Sequence, residues 1–218
     1  MEIKKGVLFD LEGTLIESGY QKNAQLLHEL HKTTYKELLK FGIPENILTQ
    51  SNKSVILRNL SFTWVEANRN EDILQFAEYV NRFMSKFDMM ATRDSKLYNN
   101  TIHILNYLKN KNYKIGLCTN TSKQATNIML KTHKIYDFFD IITTREDVLQ
   151  IKPDPIMIIN TIKQMKTKKN YMVGDSKVDI ISAKNAGIKT ILIKRDNRKQ
   201  NYYVDYTIYD LLDLKRIL

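Results

Sequence analysis

Asp10 and Glu12 stand either side of one leucine at the end of an apolar run, Gly6-Val7-Leu8-Phe9-Asp10-Leu11-Glu12-Gly13-Thr14. Carboxylates so placed can serve as a nucleophile, as an acid and base, or as ligands of a hard cation. Further along, Thr119-Asn120 follows Gly116-Leu117-Cys118, Lys152 opens Lys152-Pro153-Asp154-Pro155, and Asp175 and Asp179 lie in Gly174-Asp175-Ser176-Lys177-Val178-Asp179. Each has an ordinary use as well. A strand-end or helix cap accounts for Asp10, Thr119 or Asp175 taken singly, and solvated surface for Lys152. A set comprising two pairs of acids, a hydroxyl and a lysine, each following an apolar run or a turn, can instead bind and transfer an anionic group.

The apolar runs that carry these residues are short. Residues 4–10, 113–118, 140–143, 170–174 and 189–193 read as buried parallel strands, bounded by charges or turn residues. Between them the pattern is helical over 94–110 (Leu97, Ile102, Leu105, Leu108), 122–134, 154–166 and 176–186, the last stopped by Gly187. Strand alternating with helix predicts a doubly wound α/β sheet. In such a sheet ligands bind outside the carboxyl ends of the strands, where Asp10, Thr119 and Asp175 fall.

Residues 18–93 break that rhythm. They offer no strand and several amphipathic helices, from Leu26-Leu27-Leu30 to Leu38-Leu39 and through Ile73, Phe76, Val80 and Phe83, with breaks at Gly42-Ile43-Pro44 and Asn68-Arg69-Asn70. The expected division is an α/β core of 1–17 and 94–218 with a helical cap of 18–93. The cap begins directly after the acidic loop, so it can cover that loop as a lid. Phe62 and Trp64 fit the core of a small bundle, with a pocket lining as the alternative.

At 218 residues, 43% hydrophobic and 27% charged, with three prolines and seven glycines, the chain is expected to be globular, and disorder and low-complexity classes are excluded. No apolar run reaches the roughly 20 residues needed to span a bilayer, and the N-terminus passes into a strand rather than a signal peptide, so a cytoplasmic protein without membrane partners is expected. One cysteine, Cys118, rules out an internal disulfide and reads as a small apolar strand residue. The formal charge of +10 is spread along the chain, with short concentrations at 166–169 and 194–199 and no interleaved aromatics. A solvated basic surface is expected, without a specific nucleic-acid partner, in a monomer or homodimer.

In order and spacing, these motifs resemble the haloacid dehalogenase-like (HAD) superfamily of aspartate-nucleophile phosphohydrolases. Asp10-Leu11-Glu12-Gly13-Thr14 is similar to that family's first motif, the strand-ending Thr119 to its second, Lys152 to its third and Gly174-Asp175-Ser176-x-x-Asp179 to its fourth. The following Ile180-Ile181-Ser182-Ala183-Lys184-Asn185-Ala186-Gly187-Ile188 resembles the phosphoglycolate-phosphatase-like subgroup, as does the helical insertion. The likeness covers nearly the whole chain.

The resemblance implies a phosphatase that hydrolyses a small phosphorylated metabolite, phosphoglycolate- or sugar-phosphate-like. It implies Asp10 as nucleophile and a Mg²⁺ held by Asp10, Asp175 and the Glu12 backbone carbonyl, with Asp179 orienting a metal-bound water. It gives Lys152, Thr119 and the backbone near Asn120 to the phosphate, Gly13 to a close loop approach and Thr14 to steadying Asp10. The family's phosphatases place aspartate where this chain has Glu12, as the acid toward the leaving alkoxide and the base toward water. Here the carboxyl group is kept with one more methylene. Two rival readings follow from that departure and from the shared chemistry: a weakly catalytic phosphate-ligand-binding protein, and a phosphotransferase or mutase. Lys53, Arg58 and Arg93 are candidates for a substrate's distal anion, against solvated surface as the ordinary role.

Overall fold

The computed structural model describes residues 4–195 and 202–218. Its centre is a six-stranded parallel sheet made of β1 (Lys5–Phe9), β4 (Lys114–Cys118), β5 (Ile141–Thr143), β6 (Lys169–Gly174), β7 (Lys189–Ile193) and β8 (Tyr206–Ile208), in the order β5-β4-β1-β6-β7-β8. The chain winds outward from β1 in one direction and then in the other, so the order reverses beside β1. That is where a crevice opens at the strand ends.

All five expected strands are present, each to within one residue at either end. Their side chains alternate between two faces, as the pleat requires. Val7 and Phe9 of β1 face α6 (Thr101–Asn110) and α7 (Lys123–Thr132), joining Leu105, Leu108 and Met129 in one buried cluster. Leu8 points the other way, toward α8 (Ile156–Met165) and α9 (Lys177–Asn185), and meets Met157, Ile158 and Ala183. Both faces are covered, which is why these strands read as unbroken apolar runs rather than alternating ones.

The helix expected over 94–110 begins only at Thr101. Lys96–Leu97 is instead a strand, β3, paired antiparallel with β2 (Ile16–Glu17). Asn100 explains the break. It takes the left-handed conformation, φ 66°, and its Nδ2 reaches both oxygens of Asp210 at 3.0 Å, so the helix starts after it. The β2–β3 pair forms the foot of the helical insertion, and β8 was not foreseen at all.

Between β2 and β3 run α1 (Gly19–Lys22), α2 (Ala24–Phe41), α3 (Glu45–Leu48), α4 (Ser54–Asn68) and α5 (Ile73–Thr92). Gly42, at φ 97°, ends α2, and Arg69 ends α4, at the two expected breaks. These helices bury a hydrophobic cluster of their own, which includes Leu38, Leu57, Phe62, Phe76 and Val80 with Trp64 packed against it. Phe62 and Trp64 thus belong to the helical core. Of the basic concentration at 194–199, residues 196–199 lie outside the described residues, as do residues 1–3.

Candidate active site

The strand ends deliver the site. Asp10 N–H donates to the Val173 carbonyl at 2.9 Å and Thr119 N–H to the Thr143 carbonyl at 3.0 Å, so both residues continue the ladders of the strands they follow. Asp10 is thereby held over the junction of β1 and β6, one strand from Thr119. Asp175 follows the end of β6, and Ser176 and Asp179 form a capping box on α9 in which Asp179 Oδ2 accepts from the Ser176 N–H at 3.1 Å. The remaining oxygen of Asp179 is then aimed into the crevice.

Lys152 fills that crevice from the loop between β5 and α8. Its Nζ lies 2.6 Å from Asp10 Oδ1, 2.6 Å from Asp179 Oδ1 and 2.7 Å from the Cys118 carbonyl, and the residue is 1% exposed. Burial alone would push the ammonium down, but the Asp10 and Asp179 carboxylates hold it above the ordinary lysine range. Lys152 is a fixed point charge. Thr119 Oγ1, also buried, faces the same cleft and exchanges hydrogen bonds with Thr121, accepting from its N–H at 3.2 Å.

Oxygens of Asp10, Asp175 and Asp179 all lie within 4.8 Å of one another. Burial raises Asp10 well above the usual carboxylate range, with Asp179 and Asp175 adding to it against the pull of Lys152. Burial and the Asp179 charge push Asp175 up to about 7. Three carboxylates, those of Asp10 and Asp179 buried and that of Asp175 half-buried, face one ammonium and are short of positive charge, and the donors are oxygen only. The cluster therefore fits a hard divalent cation. Gly13, at φ 89°, lays its backbone against Asp175, where a Cβ would overlap the carboxylate. Thr14 lies on the same side. Its Oγ1 reaches Asp175 Oδ1 at 3.5 Å, so its partner is Asp175 and not Asp10.

The Glu12 carboxyl stands apart from this cluster. Its Oε2 accepts from Thr121 Oγ1, while Oε1 is buried without a partner. Burial, reinforced by the Asp88 charge, pushes Glu12 up to about 7. A carboxyl with one committed oxygen and one free, and with its affinity for protons raised by burial, is suited to giving and taking a proton.

The cleft has a volume of about 680 Å³ and is lined from both the sheet and the helices, with Tyr20, Leu30, His31 and Met84 facing the strand-end residues. Of the three cations considered for a distal anion, none lines it. Lys53 and Arg93 are exposed elsewhere. Arg58 is fully buried, its guanidinium 4.1 Å over the Phe62 ring and its Nη1 donating to the Leu149 carbonyl at 2.7 Å.

Two arginines that sequence reasoning missed do line the cleft. Arg145, in the loop after β5, pairs with the buried Asp88 of α5 at 2.8 Å and donates to the Asn120 carbonyl at 3.0 Å. Asp88 in turn accepts from Tyr20 Oη and from the Ser122 N–H, each at 3.0 Å. Arg195 donates Nη2–H to the Thr14 carbonyl at 2.6 Å and stacks 3.8 Å from the Tyr98 ring centroid, holding the loop that carries Glu12 and Gly13. Asp88 left a trace in the sequence, as a carboxylate on the apolar stripe Phe76-Val80-Met84 at four-residue spacing. Arg195 falls within the basic concentration at 194–199, which reads as solvated surface, and Arg145 left no trace.

Fold and site together define a class: a doubly wound α/β protein with a lysine-bridged aspartate centre at the point where strand order reverses, covered by inserted helices. The model of the haloacid dehalogenase-like hydrolase family matches residues 7–193, and the chain belongs to that family. Several proteins similar to it carry phosphatase names. Pyrophosphatase PpaX of Bacillus mycoides (strain KBAB4) is 28% identical over 221 residues, covering 97% of this chain and 95% of the relative. A HAD phosphatase from Thermococcus onnurineus superposes with a TM-score of 0.63 at 28% identity, over 98% of this chain and 97% of the other. A protein described as a predicted phosphoglycolate phosphatase from Haemophilus somnus 129pt shares the fold, with a TM-score of 0.65 at 22% identity over 100% and 99% of the two chains. Among the described residues no helix is long and apolar enough to cross a membrane.

Proposed function

We propose that the protein is a Mg²⁺-dependent phosphatase acting on a small phosphorylated metabolite through an aspartyl-phosphate, with Asp10 as nucleophile. The observation that carries this reading is the Lys152 ammonium, 2.6 Å from both Asp10 and Asp179 at the floor of a cleft. Lys152 holds Asp10 Oδ1 and leaves Oδ2 to attack phosphorus in line, while Lys152 and the Thr119 hydroxyl bind the transferred group's oxygens. Breaking the phosphorus–oxygen bond makes an alkoxide, which takes the proton of Glu12. Glu12, now a carboxylate, accepts a proton from the water that attacks the aspartyl-phosphate, and Asp10 and inorganic phosphate are released.

Asp10, Asp175 and the Glu12 carbonyl would hold the Mg²⁺, with Asp179 beside it. Bound there, the ion offsets the repulsion between the nucleophile and a phosphate dianion. Substrates resembling phosphoglycolate or sugar phosphates are the expected class; the relatives' names add pyrophosphate to the panel. The free Oε1 and raised affinity for protons of Glu12 support turnover over a binding-only role.

The test is phosphate release from sugar phosphates, nucleotides, phosphoglycolate and pyrophosphate with Mg²⁺ and with EDTA, for wild type and Asp10→Asn. Chelator should abolish release and Mg²⁺ restore it, and Asp10→Asn should lose at least about three orders of magnitude, as removal of other nucleophiles does. Full activity in chelator would overturn the metal assignment. An Asp10→Asn enzyme within tenfold of wild type would overturn the covalent route. Product analysis with added alcohols separates hydrolysis from phosphotransfer.

A further inference from the structure

Two asparagine carboxamides grip successive residues of the loop that carries Lys152. Asn120, after β4, donates Nδ2–H to the Lys152 carbonyl at 3.0 Å and accepts from the Lys152 N–H at 3.1 Å. Asn59, on α4 of the inserted helices, does the same for the preceding residue, donating to the Ile151 carbonyl at 2.6 Å and accepting from the Ile151 N–H at 3.1 Å. Arg58 beside it holds the Leu149 carbonyl at 2.7 Å.

A peptide whose N–H and C=O are both taken has little freedom to rotate. With Ile151 and Lys152 both held in this way, the Lys152 Cα is fixed, and with it the origin of the side chain that reaches Asp10 and Asp179. Asn120 comes from the sheet, so its hold does not depend on the helices. Asn59 comes from the inserted segment and does not line the cleft, so it has no direct route to a bound substrate. A displacement of about 1 Å in a charge-stabilising group can cost roughly a hundredfold in rate.

We propose that Asn59 is a positioning residue for Lys152, so that seating α4 on the loop at 149–151 and placing the catalytic ammonium are one event. The proposal rests on Lys152 acting on the transferred phosphoryl group. A purely structural contact of the same helix with the same loop provides a control: Gln150 Nε2 donates to Thr63 Oγ1 at 3.2 Å at the exposed end of the seam.

The experiment is a double-mutant cycle on hydrolysis of p-nitrophenyl phosphate with Mg²⁺, using Asn59→Ala, Lys152→Ala and the pair, with thermal melts of each. Asn59→Ala should slow turnover by roughly tenfold to a hundredfold. The pair should be no slower than Lys152→Ala alone, because a residue that acts through the lysine has nothing left to position. Thr63→Ala should stay within about twofold of wild type. Should Asn59→Ala fail to fold, Asn59→Asp enters the same cycle, since it keeps the shape and the acceptor for the Ile151 N–H but sets a carboxylate against the Ile151 carbonyl.

Additive effects in the cycle, or an Asn59→Ala enzyme as fast as wild type, would overturn the proposal while leaving the phosphatase reading in place. A wild-type protein that releases no phosphate from any ester overturns both.

Discussion

In the proposed mechanism, Glu12 is the residue on which the chemistry turns. The acid must reach the leaving oxygen and return to activate water, and its side chain enters the cleft with Oε2 anchored on Thr121 and Oε1 free. Glu12→Gln keeps the size and the acceptor for Thr121 but cannot shuttle a proton, so steady-state turnover should fall by roughly a hundredfold to ten-thousandfold. With p-nitrophenyl phosphate the first step needs no acid. Glu12→Gln should therefore release one equivalent of p-nitrophenol in a burst and stall as aspartyl-phosphate, whereas Glu12→Asp stays active. Rapid-quench measurement of the burst decides it: undiminished steady-state turnover by Glu12→Gln removes Glu12 from proton transfer. Asp10, Thr119 and Asp175 were legible one by one because each follows a strand that is legible. The partners were not. Thr14 belongs to Asp175 rather than Asp10, and Arg58 is buried on a loop carbonyl, because side-chain direction depends on packing that a single chain of letters does not carry.

At the scale of elements, strands buried on both faces announce themselves as apolar runs, and five of them could be read to within a residue. The two-residue strands β2 and β3 have no periodicity to read, and β8 pairs through Tyr206, Thr207 and Ile208 with its polar neighbours supplying the order. Asp205 is one such neighbour. It accepts from Lys189 Nζ at 2.6 Å, from the Thr190 N–H at 2.9 Å and from Thr190 Oγ1 at 2.8 Å, tying the start of β8 to the start of β7. Its partial burial opposes ionisation, but these donors prevail and bring it down to about 2. A carboxyl depressed in the folded state stabilises it above the unfolded value of about 3.9, and that contribution is lost as pH falls toward 2. Asp205→Asn should thus cost about 1.5–3 kcal/mol at pH 7, the worth of hydrogen bonds to a charged group, and progressively less below pH ~4. Urea melts of both proteins at pH 7 and pH 3 measure the two gaps. A gap at pH 3 equal to or larger than that at pH 7 rejects the tie.

In the whole molecule, the helices and the sheet bury separate hydrophobic clusters; Val55 of α4 packs against the sheet's cluster, and polar seams also join the two parts. Such interfaces within a chain are more polar than cores, and relative motion is their default. One seam is α4 on the Lys152 loop. The other is the Asp88–Arg145 pair, in which Arg145 also reaches Ser85, Asn81 and the Asn120 carbonyl. Both partners are nearly inaccessible, at 5% and 1%. Removing one member of such a pair strands a buried charge, and Arg145→Met should destabilise the protein by about 3–5 kcal/mol. Adding Asp88→Asn removes the stranded charge and keeps one carboxamide oxygen to accept from the Ser122 N–H, with the Nδ2 donating to the Tyr20 hydroxyl oxygen, so the double variant should recover a large part of that loss. Activity should not follow stability. Both variants lack the Arg145 link between Asp88 of α5 and the Asn120 carbonyl, so both should show a raised KM for the ester whatever their melting temperature. Denaturant melts combined with steady-state kinetics on wild type, Arg145→Met and Arg145→Met/Asp88→Asn separate the two effects. A double variant less stable than Arg145→Met would show that the seam holds by packing rather than by charge, and a KM restored along with stability would show that it does not govern access to the cleft.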